Sequence, residues 1–160
     1  LAGELDAAIV ALPLPGVALD ALPLETEAMV LVRPPGGPRT ETPAALFRRL
    51  PLIAYPRGSV TRGLIDAELA RRGLAPATAM ELSHPEAMVR LVEADLGAAI
   101  LPRRVLRPGV VGVQEVRGFS LTRELSLIMR PGEAPSPAAR AFRELLESAV
   151  GAVHGRRGRA

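Results

Sequence analysis

The chain reads as an α/β fold with mainly parallel strand pairing, and three observations predict it. Short apolar runs of strand length alternate with stretches whose apolar positions recur at helical spacing. Several of the strand-length runs stop at proline, and several of the helix-length stretches open on a capping signature. With 160 residues, 48% of them hydrophobic, the chain can bury a substantial core as one domain or two small lobes. No internal repeat of about 20–50 residues competes with this reading.

Residues 5–12 (LDAAIVAL) form an apolar run ending at Pro13 and Pro15, a buried strand that delivers a loop. Residues 22–33 alternate at first, then turn continuously apolar from Ala28 to Val32, as one strand crossing between two sheets would. The PPGGPR cluster at 34–39 is an exposed turn. Thr42 as N-cap and Pro43 at the first helical position open a helix over 43–50. A strand over 52–55 closes at Pro56. After Arg57-Gly58-Ser59, a helix over 60–72 carries Leu64, Ile65 and Leu69 on one face, with Gly73 as its stop. Residues 77–82 are a strand. Ser83-His84-Pro85-Glu86 reads as a capping box, Ser83 at N-cap and Glu86 at N3. The helix it opens runs through Ala94 with Met88, Leu91 and Val92 as its core stripe.

Residues 97–101 form a small-residue strand ended by Pro102, and further strands are expected over 110–116 and 121–129. Arg130-Pro131-Gly132 turns the chain away. Ser136 and Pro137 start a last helix, in which Ala138, Phe142, Leu145, Leu146 and Ala149 form an apolar face. That face suits either a partner or the helix's own sheet, and the expectation is core. Residues 151–160 (GAVHGRRGRA) are expected to fray as a basic tail, disordered from 154.

Composition narrows the function classes. All 20 basic residues are arginine, and the formal net charge is +3. Arg156, Arg157 and Arg159 lie in the tail, so 17 arginines face 17 acidic residues elsewhere and the body is neutral. Three Phe and one Tyr supply no aromatic-studded basic stripe, which disfavours direct nucleic-acid binding. The absence of cysteine excludes a disulfide scaffold, a Cys-based zinc site and a thiol nucleophile, and fits a reducing, cytoplasmic location. No apolar run is long enough to span a bilayer, and no secretion signal opens the sequence.

His84 is isolated, and no cluster of Asp or Glu accompanies it, so no metal is expected. There is no G-x-S-x-G elbow and no lysine for a phosphate loop. Carboxylates mostly pair with arginine at helical spacing, as Glu144 with Arg140 and Glu147 with Arg143. Neither catalysis nor a cofactor is expected.

Several segments, taken in order, resemble the effector-binding domain of LysR-type transcriptional regulators. They are Gly3-Glu4-Leu5-Asp6-Ala7-Ala8-Ile9, Pro23-Leu24, Glu27-Ala28-Met29-Val30-Leu31-Val32, Leu50-Pro51-Leu52-Ile53, and Gly58-Ser59 with Arg62 three further on. Glu81-Leu82-Ser83 and Met88-Val89-Arg90-Leu91-Val92-Glu93-Ala94 follow, the latter running into Leu96-Gly97-Ala98-Ala99-Ile100-Leu101-Pro102. The last is Leu125-Ser126-Leu127-Ile128-Met129-Arg130, with Ser136 and Phe142 after it. Each piece is weak alone; their order and spacing over residues 3–150 make the match specific.

The resemblance implies a type II periplasmic-binding-protein-like fold: two α/β lobes joined by two crossover strands, with a small ligand in the cleft. Residues 22–32 would be the first crossover, and 110–121 would contain the second. The first lobe would comprise 1–28 and 110–153, and the second 29–109. The first lobe is expected to be incomplete, and the winged helix-turn-helix of such regulators to be missing from the chain. DNA would then be reached only through that absent reader, and the effector domain would form a homo-oligomer. A solute-binding protein of a transport system shares the fold and is the rival reading.

Gly58-Ser59-Val60-Thr61 opens a helix directly after a strand. Free N–H groups, the dipole and two hydroxyls suit it to an anion, and Ser59 also suits a plain cap. Arg62 either neutralises an effector carboxylate, points to solvent, or makes a surface pair with Asp66 at i+4. Leu12, Pro13, Leu101 and Pro102, at two other strand ends, would supply apolar walls. The expected effector-binding set is therefore Ser59, Val60, Thr61, Arg62, Leu12, Pro13, Leu101 and Pro102, for a carboxylate or similar anion. His84 is read as a partly exposed first-turn residue rather than a sensor of effector or pH.

Overall fold

A computed structural model describes residues 5–13, 20–38, 40–106, 113–129 and 135–157. The chain forms two compact units, one of residues 1–26 with 124–160 and one of 27–123. The sequence reading placed these boundaries at 28/29 and 109/110. The later second boundary has a packing cause: Val116 and Phe119 are buried in the core of the 27–123 unit, and Val116 N–H donates to Leu31 O at 2.8 Å.

Strand β1 is Ala7–Leu12 and strand β2 is Asp20–Arg33. The first part of β2 is exposed or half-buried, whereas residues 29–33 are all buried, so its environment changes where it passes from one unit to the other. That change matches the point at which its sequence turns continuously apolar, since a strand covered on both faces needs apolar side chains on both.

In the 27–123 unit, helix α1 (Pro43–Arg49) has Thr42 as N-cap, its Oγ1 accepting from Ala45 N at 3.2 Å. Strand β3 (Leu52–Ala54), helix α2 (Val60–Arg71), strand β4 (Thr78–Glu81), helix α3 (Pro85–Glu93) and strand β5 (Ala98–Pro102) follow. Helix α2 ends where Gly73 N donates to Ala70 O and Leu74 N to Leu69 O, the paired bonds of a Schellman closure. Strand order is β2-β5-β3-β4, and a short β6 (Gln114–Glu115) pairs with β2.

Parallel pairing is confined to β4-β3-β5, where α2 and α3 supply the crossovers. The β2–β5 and β2–β6 pairs are antiparallel. The sheet is therefore mixed rather than mainly parallel, because β2 runs back along β5 without a helical crossover between strands of one direction. Gly97 leads into β5 at a close approach: a Cβ there would meet Pro51 O at 2.7 Å. Met29, Leu31, Leu46, Leu52, Ile53, Met88, Ile100 and Leu101 are the largest fully buried side chains of this core.

In the other unit, β1 pairs antiparallel with strand β7 (Leu121–Met129), in register from Ala7 opposite Met129 to Leu12 opposite Glu124. Helix α4 spans Pro137–Arg157. Ser136 caps it, accepting from Ala139 N at 3.2 Å and donating to Asp6 Oδ2 at 2.7 Å.

Four sequence expectations change. The N-cap of α3 is His84, not Ser83, and its side chain makes no capping bond; Pro85 at the first helical position sets the start instead. The strand expected over 110–116 appears only as β6, with residues 110–112 outside the described set. Helix α4 continues to Arg157, beyond the expected fraying point. Its expected core face is not core: Phe142 and Leu145 are 45% and 68% exposed, and the buried residue is Ala139. Helical periodicity marks an apolar face without specifying what covers it.

Candidate functional site

Strand β3 delivers Tyr55 and Pro56 into a turn that feeds α2. Gly58 has φ +84, a left-handed conformation that glycine takes without steric cost, and the turn closes through Ser59 N–H to Pro56 O at 3.2 Å. Ser59 is the N-cap of α2: its Oγ accepts from Arg62 N at 3.2 Å and donates to Pro56 O at 2.9 Å. Its hydroxyl is thus occupied on both sides. The N–H groups of Val60 and Thr61 remain without intrahelical acceptors, as the first turn of any helix requires.

Thr61 is 8% exposed, and its Oγ1 accepts from Arg123 Nη1 at 2.8 Å. Arg123, in β7, donates through Nε to Glu27 Oε2 at 2.6 Å. Glu27, in β2, is only 4% exposed, and its Oε1 lies 2.5 Å from Arg104 Nε. Arg104 stands in a 3-10 turn (Arg103–Val105) just past the end of β5, with its side chain more than half exposed. Residues 27, 61, 104 and 123 therefore form one hydrogen-bonded and ion-paired chain ending at the first turn of α2. A carboxylate as buried as Glu27 needs such partners, because burying an unpaired charge costs several kcal/mol.

Tyr55 is 6% exposed, and among the described residues its hydroxyl has no hydrogen-bond partner. Burial pushes its pKa up to about 12; Arg123 pulls it down and Glu27 raises it further, with Glu86 and Arg104 acting more weakly. The phenol is thus neutral at any physiological pH.

Arg62 is buried rather than at the surface. Its Nε donates to both Asp66 oxygens at 2.8 and 2.9 Å, its Nη1 to Tyr55 O at 3.0 Å and Glu81 Oε1 at 3.3 Å, and its Nη2 to Thr78 Oγ1 at 3.4 Å. The Asp66 pairing expected from i+4 spacing is present, and the guanidinium braces α2 against β3 and β4. Glu81 is held below the usual carboxylate range chiefly by the Arg57 N–H, and also by Arg57 and Arg62 side chains.

Leu101 and Pro102 lie buried in β5 opposite Val30 and Met29. Leu12 is half-buried in β1, and Pro13, following a cis peptide, is exposed; both belong to the other unit. His84 is exposed. Among the described residues no group of His, Asp and Glu could hold a metal ion, and no helix is long and apolar enough to cross a membrane.

The eight expected residues thus divide. Val60 and Thr61 present the opening of α2, Ser59 and Arg62 support it, Leu101 and Pro102 sit in the core, and Leu12 and Pro13 belong to the other unit. Sequence reasoning missed Glu27, Tyr55, Arg104 and Arg123. The signal available for Glu27 was an acid at the head of a continuously apolar strand, which calls for a buried cation.

A family model described as the LysR substrate binding domain matches residues 1–151. The chain belongs to this family. Its fold is the type II periplasmic-binding-protein-like fold of LysR effector-binding domains. The regulatory domain of CcmR from Synechocystis PCC6803, solved in complex with 2-PG, superposes with a TM-score of 0.79 at 19% identity, covering 92% of this chain and 74% of that one. A RuBisCO operon transcriptional regulator of Allochromatium vinosum is 26% identical over 97% of this chain and 54% of its own length. A protein of Anaeromyxobacter dehalogenans named as a phosphonates import ATP-binding protein is 35% identical over 109 residues, 64% of this chain and 22% of that protein. This LysR domain chain spans about half the length of the regulator it matches.

Proposed function

We propose that this LysR effector-binding domain senses a small anionic effector, a carboxylate or similar oxyanion, at the opening of α2. The anion would accept from the Val60 and Thr61 N–H groups and from the Thr61 hydroxyl, with the Arg123 guanidinium beside it. The observation that carries this reading is the buried chain Glu27–Arg123–Thr61, which ends a cation at the positive end of a helix. Occupancy would be transmitted through the geometry of a homo-oligomer to a DNA-binding domain, with no catalytic step, in the cytoplasm. The family match supports this over a transport solute-binding role.

The test is calorimetric titration of a ligand found by thermal-shift screening. Thr61→Ala and Arg123→Gln should each lower affinity about 10-fold or more, the range of one hydrogen bond to a charged group. Ser59→Ala should act mainly on α2, costing about 1 kcal/mol of stability, because its hydroxyl already serves the cap. Unchanged affinity in both Thr61→Ala and Arg123→Gln would move the site elsewhere.

A further inference from the structure

Residues 27–123 form one compact unit, so the chain enters it at Glu27 and leaves it at Arg123. These two residues are paired with each other. Arg123 Nε donates to Glu27 Oε2 at 2.6 Å, and both side chains are largely buried. Their strands, β2 and β7, are hydrogen-bonded neighbours in the sheet. The same guanidinium reaches a third element, because its Nη1 donates to Thr61 Oγ1 at 2.8 Å in the first turn of α2.

The far end of α2 is fastened to the segment that leads into β7. Arg72, the C-cap of the helix, donates to Gly118 O and Ser120 O and lies over the buried Phe119 ring. From Thr61 to Arg72 a helix rises about 17 Å. The chain from Gly118 to Arg123 spans at most about the same length. Helix and exit segment thus match in length and are tied at both ends. A guanidinium shared between a hydroxyl and a carboxylate cannot follow one without loosening its hold on the other. Glu27, withdrawn from water, requires that cation beside it.

We propose that α2 and Arg123 form a coupling device. Arg123 latches both chain exits of the 27–123 unit to the first turn of α2, so a displacement of that turn loosens β2 at Glu27 and β7 at Arg123 together while the core stays folded. The device belongs to the unliganded chain and does not rest on the placement of an effector. The hydrogen-bonded path from Thr61 to β2 runs through Arg123, which makes the coupling separable by substitution.

Hydrogen exchange of the nitrogen-15-labelled full chain tests it in wild type, Thr61→Val, Glu27→Gln and the double variant. Thr61→Val keeps both charges and the shape of the side chain, and removes the acceptor that α2 offers Arg123. The expected result in Thr61→Val is faster exchange at the protected amides of residues 24–28 and 121–125, by about 10-fold or more, the size of one hydrogen bond to a charged group. Amides of β3 and β5 should exchange as in wild type. Because both substitutions act through Arg123, the double variant should exchange at these exits no faster than the faster single variant. Wild-type exchange around Glu27 in Thr61→Val overturns the coupling. So does a rise shared equally by β3 and β5, which marks general destabilisation, and so do effects that multiply in the double variant. Should Glu27→Gln fail to fold, Thr61→Val decides the proposal by itself.

Discussion

Glu27 is the residue on which the candidate site depends most. Its carboxylate joins Arg104 to Arg123 from a nearly fully buried position. Removing one partner of a buried ion pair leaves the other uncompensated, which costs about 3–5 kcal/mol. Glu27→Ala should therefore lower the melting temperature clearly, whereas Arg104→Ala, whose side chain is largely exposed, should change it little; thermal unfolding of the two variants compares them directly. The Arg123 partners lie 96 and 62 residues away, and Tyr55 is joined to them by no hydrogen bond, so local spacing held no trace of the cluster. Thr61 and Val60 were legible because a helix opening straight after a strand announces itself through proline, glycine and a capping hydroxyl. Arg62 was legible only in part: i+4 spacing indicates Asp66, but not that the guanidinium turns inward to Tyr55 O and Glu81.

Helix α2 is anchored at both ends, and its C-terminal end carries the clearest pH-dependent contact. Glu68 accepts from Arg71 and Arg72, and these hydrogen bonds hold its pKa down at about 2 from an ordinary value of 4.5. Arg72 also lies 4.7 Å over the Phe119 ring and bonds Gly118 O, tying the turn after β6 to the helix. A carboxylate whose folded pKa is depressed contributes stability that is present above pH 4.5 and is lost as the pH falls through 2. Acid unfolding of Glu68→Gln should thus show a shallower pH dependence between about 4.5 and 2 than wild type; identical profiles would remove Glu68 from the account. Helix and strand positions in this unit were largely legible, because caps and apolar periodicity are local. Strand direction was not: β2 against β5 is set by the path of the chain over about 70 residues, and alternating strands and helices alone suggest parallel pairing. The α3 cap misled because Ser83-x-x-Glu86 has the right spacing, yet Pro85 starts the helix one residue later.

At the scale of the whole chain, α4 leaves Phe142 and Leu145 exposed, and Leu5 and Ile9 are exposed in the same unit. Exposed apolar clusters of this kind favour association. The chain should self-associate at micromolar concentration in light scattering, and Leu145→Glu should shift it toward the monomer; a wild-type monomer throughout that range would contradict this. This surface was misread from the sequence because helical periodicity marks an apolar face without saying whether enough sheet exists to cover it. The neutral body and lack of a basic stripe lead to a further expectation, no tight, sequence-specific complex with duplex DNA at physiological salt, checked by a gel-shift titration. The central claim, that the first turn of α2 receives an oxyanion, is tested most directly by nuclear magnetic resonance of the nitrogen-15-labelled chain during titration with phosphate and acetate. The account predicts saturable shifts largest at the Val60 and Thr61 amides and the Arg123 side-chain Nε–H, abolished or weakened at least 10-fold in Thr61→Ala. Saturable shifts centred away from these groups, and unchanged in Thr61→Ala, would contradict it.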